Sequence, residues 1–243
     1  MIDDLVPLGS RNSLETGAQG EFGEKQAAPN WAHQAICWGL AATLPSRLFL
    51  THGPRRGRSV CLTFDDGPDP VYTPAVLDVL RDCRVRATFF VIGEKVERHP
   101  EIVRRMVAEG HGVGNHSFHH NDPQSTSARQ LMDEVHRTKV LLAGVLGFDV
   151  TLFRPPRGKL TASKLWWLWK ARQTVVLWNV DPKDFARTTA REVHDWFEAR
   201  ALRGGDLVLL HDRVPHAIEI IPSLVERARA SGLTFSTVSE WLS

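Results

Sequence analysis

Cysteine is scarce and poorly placed for either a disulfide framework or a thiolate metal site. The 243 residues hold three, Cys37, Cys61 and Cys83, an odd number without CxxC-like spacing, which fits a reduced compartment and packing roles. An excess of one charge is lacking too. Thirty Lys and Arg stand against twenty-eight Asp and Glu with no block of like charge, so nothing points to a nucleic-acid partner. Long apolar runs are also missing. From Gln26 to Ser46 no residue is formally charged, yet the apolar heart, Ala35 to Leu44, is ten residues closed by Pro45, too short to span a bilayer. Asp3, Asp4, Glu15, Glu21 and Glu24 precede it, where an export signal would carry a basic start. The expectation is a cytoplasmic protein, with peripheral membrane contact through residues 31–50, or export, as secondary readings. Tyrosine occurs once, against eight Trp, eleven Phe and eleven His, a balance compatible with a sugar-handling metalloenzyme.

What is present suffices for a substantial core. Hydrophobic residues make up 42% of the chain, well beyond a scaffold that needs staples. Residues 1–30, rich in Gly, Ser, Asn, Gln and acidic side chains, read as a tail outside that core. Residues 31–57 read as a helical or linker lead-in, with a helix over Trp31 to Leu44, and 58–243 as one domain. Past Arg58, short apolar runs alternate with segments of helical spacing. Strands are expected at Ser59–Phe64, Ala87–Ile92, Gly112–Asn115, Thr151–Arg154, Thr174–Asn179, Asp206–His211 and Leu233–Thr237. Helices are expected at Thr73–Arg81, Pro100–Glu109, Ala128–Leu146, Ser163–Ala171, Thr189–Ala201 and Pro215–Ala230. In Ala128–Leu146, Leu131, Val135, Thr138 and Leu142 form one apolar stripe. Such alternation means repeated βα units, parallel strands and outer helices; it leaves an open doubly wound sheet and a closed barrel as alternatives.

Polar residues collect at the carboxyl ends of the expected strands: Asp65 and Asp66, His116, Arg154, Asp181 and Asp184, and His211. In parallel βα folds that rim is where loops build active sites. Singly, each has an ordinary explanation. Asp65-Asp66-Gly67-Pro68 could be a strand-end turn, Arg154-Pro155-Pro156-Arg157-Gly158 a surface turn, Asp181 to Phe185 a solvated loop, and His211 a satisfied core histidine. His116 and His120, four residues apart, can grip one ion if a third ligand such as Asp66 joins them, with His119 as bystander. Together, carboxylates, imidazoles and a guanidinium from five strands form the constellation of a hydrolytic metal site.

Taken in order, TFDDGP, HSFHH, RPPRG, DPKDF and LLHD resemble the five motifs of the NodB-like polysaccharide deacetylases, carbohydrate esterase family four, over about residues 58–240. The resemblance implies a distorted (β/α) barrel of about seven parallel strands. It also implies one divalent metal, zinc with cobalt or nickel as alternatives, and removal of acetyl groups from N-acetylglucosamine-type glycans. By the same resemblance Asp65 is the general base, Asp66, His116 and His120 are the metal ligands, and Arg154 holds Asp65. His211 is the general acid with Asp184 as its acidic partner, and the Arg157 N–H meets the oxyanion. Two positions depart from the family pattern. Arg157 stands where Tyr is usual, which bears on a sugar contact, and Phe185 replaces the more usual Trp; Phe185 and Leu209 would wall the acetyl pocket. A related amidase acting on a non-sugar C–N bond, or a non-catalytic glycan-binding barrel, are the alternatives.

Overall fold

The structure, a computed structural model, describes residues 39–40, 43–122 and 125–242. The expected tail at 1–30 lies outside the described residues, as do Cys37 and most of the helix expected over Trp31 to Leu44. Eight strands are described: β1 (Phe49–Leu50), β2 (Ser59–Asp65), β3 (Thr88–Val91), β4 (Gly112–Asn115), β5 (Leu152–Phe153), β6 (Thr174–Val176), β7 (Leu207–His211) and β8 (Thr234–Phe235). The α-helices are α1 (Tyr72–Asp82), α2 (Gly93–Arg98), α3 (Pro100–Ala108), α4 (Ala128–Leu146), α5 (Ala162–Lys170), α6 (Ala190–Glu198) and α7 (His216–Ala230).

Every strand pair is parallel, in the order β1-β6-β5-β4-β3-β2-β7, with β8 joined to the start of β2. Parallel ladders need both faces covered, and β2 is accordingly buried from Val60 to Asp65. The named strands leave the ring open between β1 and β7. Past β6, however, Val180 bridges Val208, and Leu209 N–H donates to Val180 O at 2.9 Å, so the sheet curls back toward β7.

Local chemistry explains the helix ends. Ser127 and Gln130 form a reciprocal capping box at the start of α4, and Gly147, at φ 79°, ends it in the left-handed region. The stripe Leu131, Val135, Thr138 and Leu142 is the buried face. Thr161 and Thr189 cap α5 and α6 by accepting from the N–H three residues on. The main core joins β2, β3 and β7 to α1, α3 and α7 through Leu62, Phe64, Phe89, Leu210, Leu77, Met106 and Ile221.

Two elements differ from the sequence reading. β1, inside the stretch read as lead-in, pairs with β6 as part of the sheet; at two residues it is too short to show a period. α2 was not expected either, since its six residues open on Gly93. That helix starts where tertiary contacts place it: Gly93 N–H donates to Ser117 O at 3.0 Å, and a Cβ at Gly93 would meet Phe118 and Thr138.

Candidate active site

Register brings the rim together. Asp65 ends β2 opposite His211 at the end of β7 and opposite Phe90 on β3, and Asn115 at the end of β4 pairs with Phe153 on β5. The loops leaving these strands carry unusual backbone. Of the seven non-glycine residues described with positive φ, five, Asp66, Ser117, His120, Arg157 and Lys183, lie in four of the motif segments. A non-glycine residue there costs about 1–3 kcal/mol, so strain is concentrated where the chemistry-bearing side chains must be aimed.

Asp66, His116 and His120 each offer a ligand atom, all within 4.8 Å of one another. Asp66 Oδ1 lies 3.5 Å from His116 Nε2 and 3.3 Å from His120 Nε2, and it is buried without a hydrogen-bond partner. The two imidazoles are set to join it. His116 Nδ1 lies 2.8 Å from Arg154 O; a carbonyl only accepts, so Nδ1 carries a proton and Nε2 is the atom turned to the site for a cation. Burial lowers the His120 pKa, and the charge of His116 lowers it further, favouring the neutral ring a metal needs. At Asp66 burial works to raise the carboxyl, but the nearby imidazoles of His116, His211 and His120 hold it below the usual carboxylate range. Two imidazoles and a carboxylate with one buried oxygen left orphaned fit a divalent cation.

Asp65 sits beside this set. Arg154, fully buried, donates from Nη1 to Asp65 Oδ1 at 2.6 Å and to Thr63 Oγ1 at 2.7 Å, from Nε to Val176 O and from Nη2 to Leu177 O. Its guanidinium also lies 4.0 Å from the Phe90 ring centroid. The other oxygen, Asp65 Oδ2, is 3.6 Å from His116 Nε2. Across the rim, Asp184 uses both carboxylate oxygens on one residue, Oδ1 to His211 Nδ1 and Oδ2 to His211 N–H, each at 2.7 Å. Burial would lower the His211 pKa, but the hydrogen bond and charge of Asp184, with the charges of Asp66 and Asp65, leave it raised.

The remaining expected positions are more peripheral. Leu209, buried, shares a strand face with His211. Phe185, 39% exposed, meets the His211 ring edge-on with centroids 5.0 Å apart. Arg157 is exposed, its Nη1 3.4 Å from Asp122 Oδ2. His119 turns to Glu94, with Nδ1 3.3 Å from Oε2, and Asp181 pairs with Lys183 at 2.6 Å.

Several supporting residues went unassigned in the sequence. Arg213 donates from Nε to Asp66 Oδ2 at 2.7 Å, on the opposite side of the carboxylate from the histidines, and Lys95 Nζ donates to Asp66 O at 2.7 Å. Glu134 Oε2 accepts from the N–H groups of Phe118 and His119 at 3.2 and 3.1 Å, and Asn115 Oδ1 from Ser117 N–H at 2.9 Å. Asp212, fully buried, accepts from Thr73 Oγ1 at 2.6 Å; burial pushes its carboxyl up to about 7. Arg213 and Asp212 follow His211 directly, the one sequence signal that could have drawn attention to them.

A parallel α/β rim with a three-ligand cation set, a held carboxylate and a carboxylate-bound imidazole defines a metal-assisted hydrolase type of site. The polysaccharide deacetylase family model matches residues 52–176, and the chain belongs to that family. It is 35% identical over 198 residues to a peptidoglycan-N-acetylglucosamine deacetylase of Bacillus cereus, covering 78% of this chain and 90% of the relative. It is 45% identical over 159 residues to a chitooligosaccharide deacetylase of a Bradyrhizobium species, covering 65% and 72%. Among solved structures, a peptidoglycan N-acetylglucosamine deacetylase crystallised with 4-naphthalen-1-yl-N-oxidanyl-benzamide superposes with a TM-score of 0.76 at 28% identity, covering 79% of this chain and 91% of the other. The family's members use a divalent metal. No helix among the described residues is long and apolar enough to cross a membrane.

Proposed function

We propose that the protein hydrolyses the acetamide of N-acetylglucosamine units in oligo- or polysaccharides of the chitooligosaccharide, peptidoglycan or exopolysaccharide type. One observation carries this reading: Asp66 Oδ1, buried without a hydrogen-bond partner, faces two imidazoles beside a carboxylate held by Arg154. The named activities of the relatives supply the substrate class. A bound divalent cation, zinc with cobalt or nickel as alternatives, supplies polarisation of the acetyl carbonyl and a more acidic water.

The chain's own residues do the rest. Asp66, His116 and His120 would hold the cation. Asp65, with Oδ1 fixed by Arg154, uses Oδ2 to take the proton from the attacking water. The Arg157 N–H, in a turn made rigid by Pro155 and Pro156, donates to the developing oxyanion. Leu209 and Phe185 receive the acetyl methyl. His211, its Nδ1 bound by Asp184, donates from Nε2 to the departing sugar amine, which cannot leave as an anion. A cytoplasmic setting is the companion reading, supported by Cys61 and Cys83, which stand as free thiols.

The test is a panel of N-acetylated glycans, read by mass spectrometry for acetyl loss, with metal-depleted and metal-restored protein. Acetyl loss restored by metal on at least one glycan is expected; no loss on any would overturn the reading.

A further inference from the structure

The net charge of +2 conceals a lopsided distribution. No Asp or Glu occurs between Glu24 and Asp65 or between Asp149 and Asp181, and these two stretches hold eleven of the thirty Lys and Arg. The fold sets their described parts side by side. β1 pairs with β6, Trp169 Nε1 donates to Leu48 O at 3.0 Å, and Thr174 Oγ1 donates to Arg47 O at 2.7 Å. Leu40 and Leu44 pack against the cluster that contains Leu165 and Leu168 of α5.

On the outer side of α5, Trp166 and Trp167 are 47% and 46% exposed. Large apolar side chains so placed need a reason. The two rings meet at 78° with centroids 4.9 Å apart, and Lys170 Nζ lies 4.1 Å from the Trp166 centroid. Arg47, Lys170 and Arg172 are all exposed at this end of the helix.

We propose that this face, Trp166 and Trp167 with Arg47, Lys170 and Arg172, docks the protein on an anionic lipid bilayer. Indoles partition to the headgroup level, a lysine stem lies along apolar surface while its ammonium reaches the phosphates, and the two stretches that carry the face hold no acid of their own. A glycan partner fits less well, because rings at 78° with a cation over one of them offer no common flat platform for a sugar. Arg47 lies just before β1 and Arg172 just before β6, at the amino ends of the strands and away from the rim, so docking leaves the mouth of the site uncovered. The surface does not depend on the deacetylase reading.

The experiment is sedimentation of the full chain with vesicles of phosphatidylglycerol and phosphatidylcholine in equal parts, against phosphatidylcholine alone. Circular dichroism melting and activity on a soluble N-acetylated oligosaccharide serve as controls. Binding to the anionic vesicles that weakens with salt is expected. Trp166→Ala with Trp167→Ala should weaken it about tenfold or more, and Arg47→Glu with Lys170→Glu about fivefold or more per charge, with melting and soluble-substrate turnover unchanged. Failure of the unaltered chain to bind anionic vesicles, or equal binding by both variants, overturns the proposal. So does Trp-dependent retention on insoluble chitin without vesicle binding, which would assign the face to glycan.

Discussion

The two halves of the rim are built on opposite accounting. On the Asp66 side a buried carboxylate oxygen is left without a hydrogen-bond partner, between two imidazoles, of which His120 is favoured neutral by burial. On the His211 side both carboxylate oxygens of Asp184 are used, and both go to one histidine. An unsatisfied buried acceptor costs about 1–3 kcal/mol or more, which a cation can repay; a satisfied carboxylate–imidazole pair stores a proton instead. The first half is unfinished without a ligand, and the second is complete as it stands.

The sharpest way to break this contrast is to remove the ligands. His116→Ala or Asp66→Asn should drop bound metal from about one equivalent per chain to near none and kcat/KM on the order of 10⁴-fold, checked by elemental analysis beside turnover. Retained metal in His116→Ala would unseat the ligand assignment. Asp65→Asn comes next: turnover should fall about 10³-fold with metal unchanged, because the amide still accepts from Arg154 but takes no proton.

The His211 half should answer to a different assay. His211→Ala should slow N-acetyl hydrolysis about 10²-fold while an activated acetyl ester, whose leaving group needs no proton, changes far less; equal losses on both would eliminate His211 as the acid. As an acid His211 acts only while protonated, so activity is present below its raised pKa and lost as pH rises through it. Asp184→Asn removes the main raising influence, so this falling limb should move to lower pH. Substitution of Arg154 instead slows amide and ester alike, and Arg154→Met should cost about 3–5 kcal/mol of stability, read by denaturant unfolding, because Asp65 is left buried and unpaired. The smallest effect is expected from Arg213→Gln, which frees one Asp66 oxygen: metal affinity weakened about tenfold, measured by competition with a chelator, and little change in the pH profile.

How much of this could be read from the sequence depends on how local the information is. The bounds of α4 match the periodic pattern because its capping residues and a full apolar stripe lie in or directly beside the segment itself. β1 and α2 were missed because partners decide them: β6 for one, and Ser117, Phe118 and Thr138 for the other. The same holds at the site. Asp65, Asp66, His116 and His211 stood out as rare residue types at strand ends. Arg213, Thr63 and Glu134 are ordinary residues whose importance lies in contacts with Asp66, Arg154 and the loop at Phe118, far away along the chain. Periodicity left an open sheet and a barrel as alternatives and only the family resemblance pointed to the barrel, because the curl rests on contacts such as the bridge of Val180 to Val208.

Arg154 makes two tethers of different genetic character. Its guanidinium grips Asp65, while its carbonyl oxygen receives the His116 Nδ1 proton. Any amino acid supplies that carbonyl, so no substitution at position 154 can delete the contact that sets the tautomer of His116, whereas a single codon change removes the grip on the carboxylate. Evolution can therefore retune the base one mutation at a time, but it can reorient the histidine only by moving the end of β5.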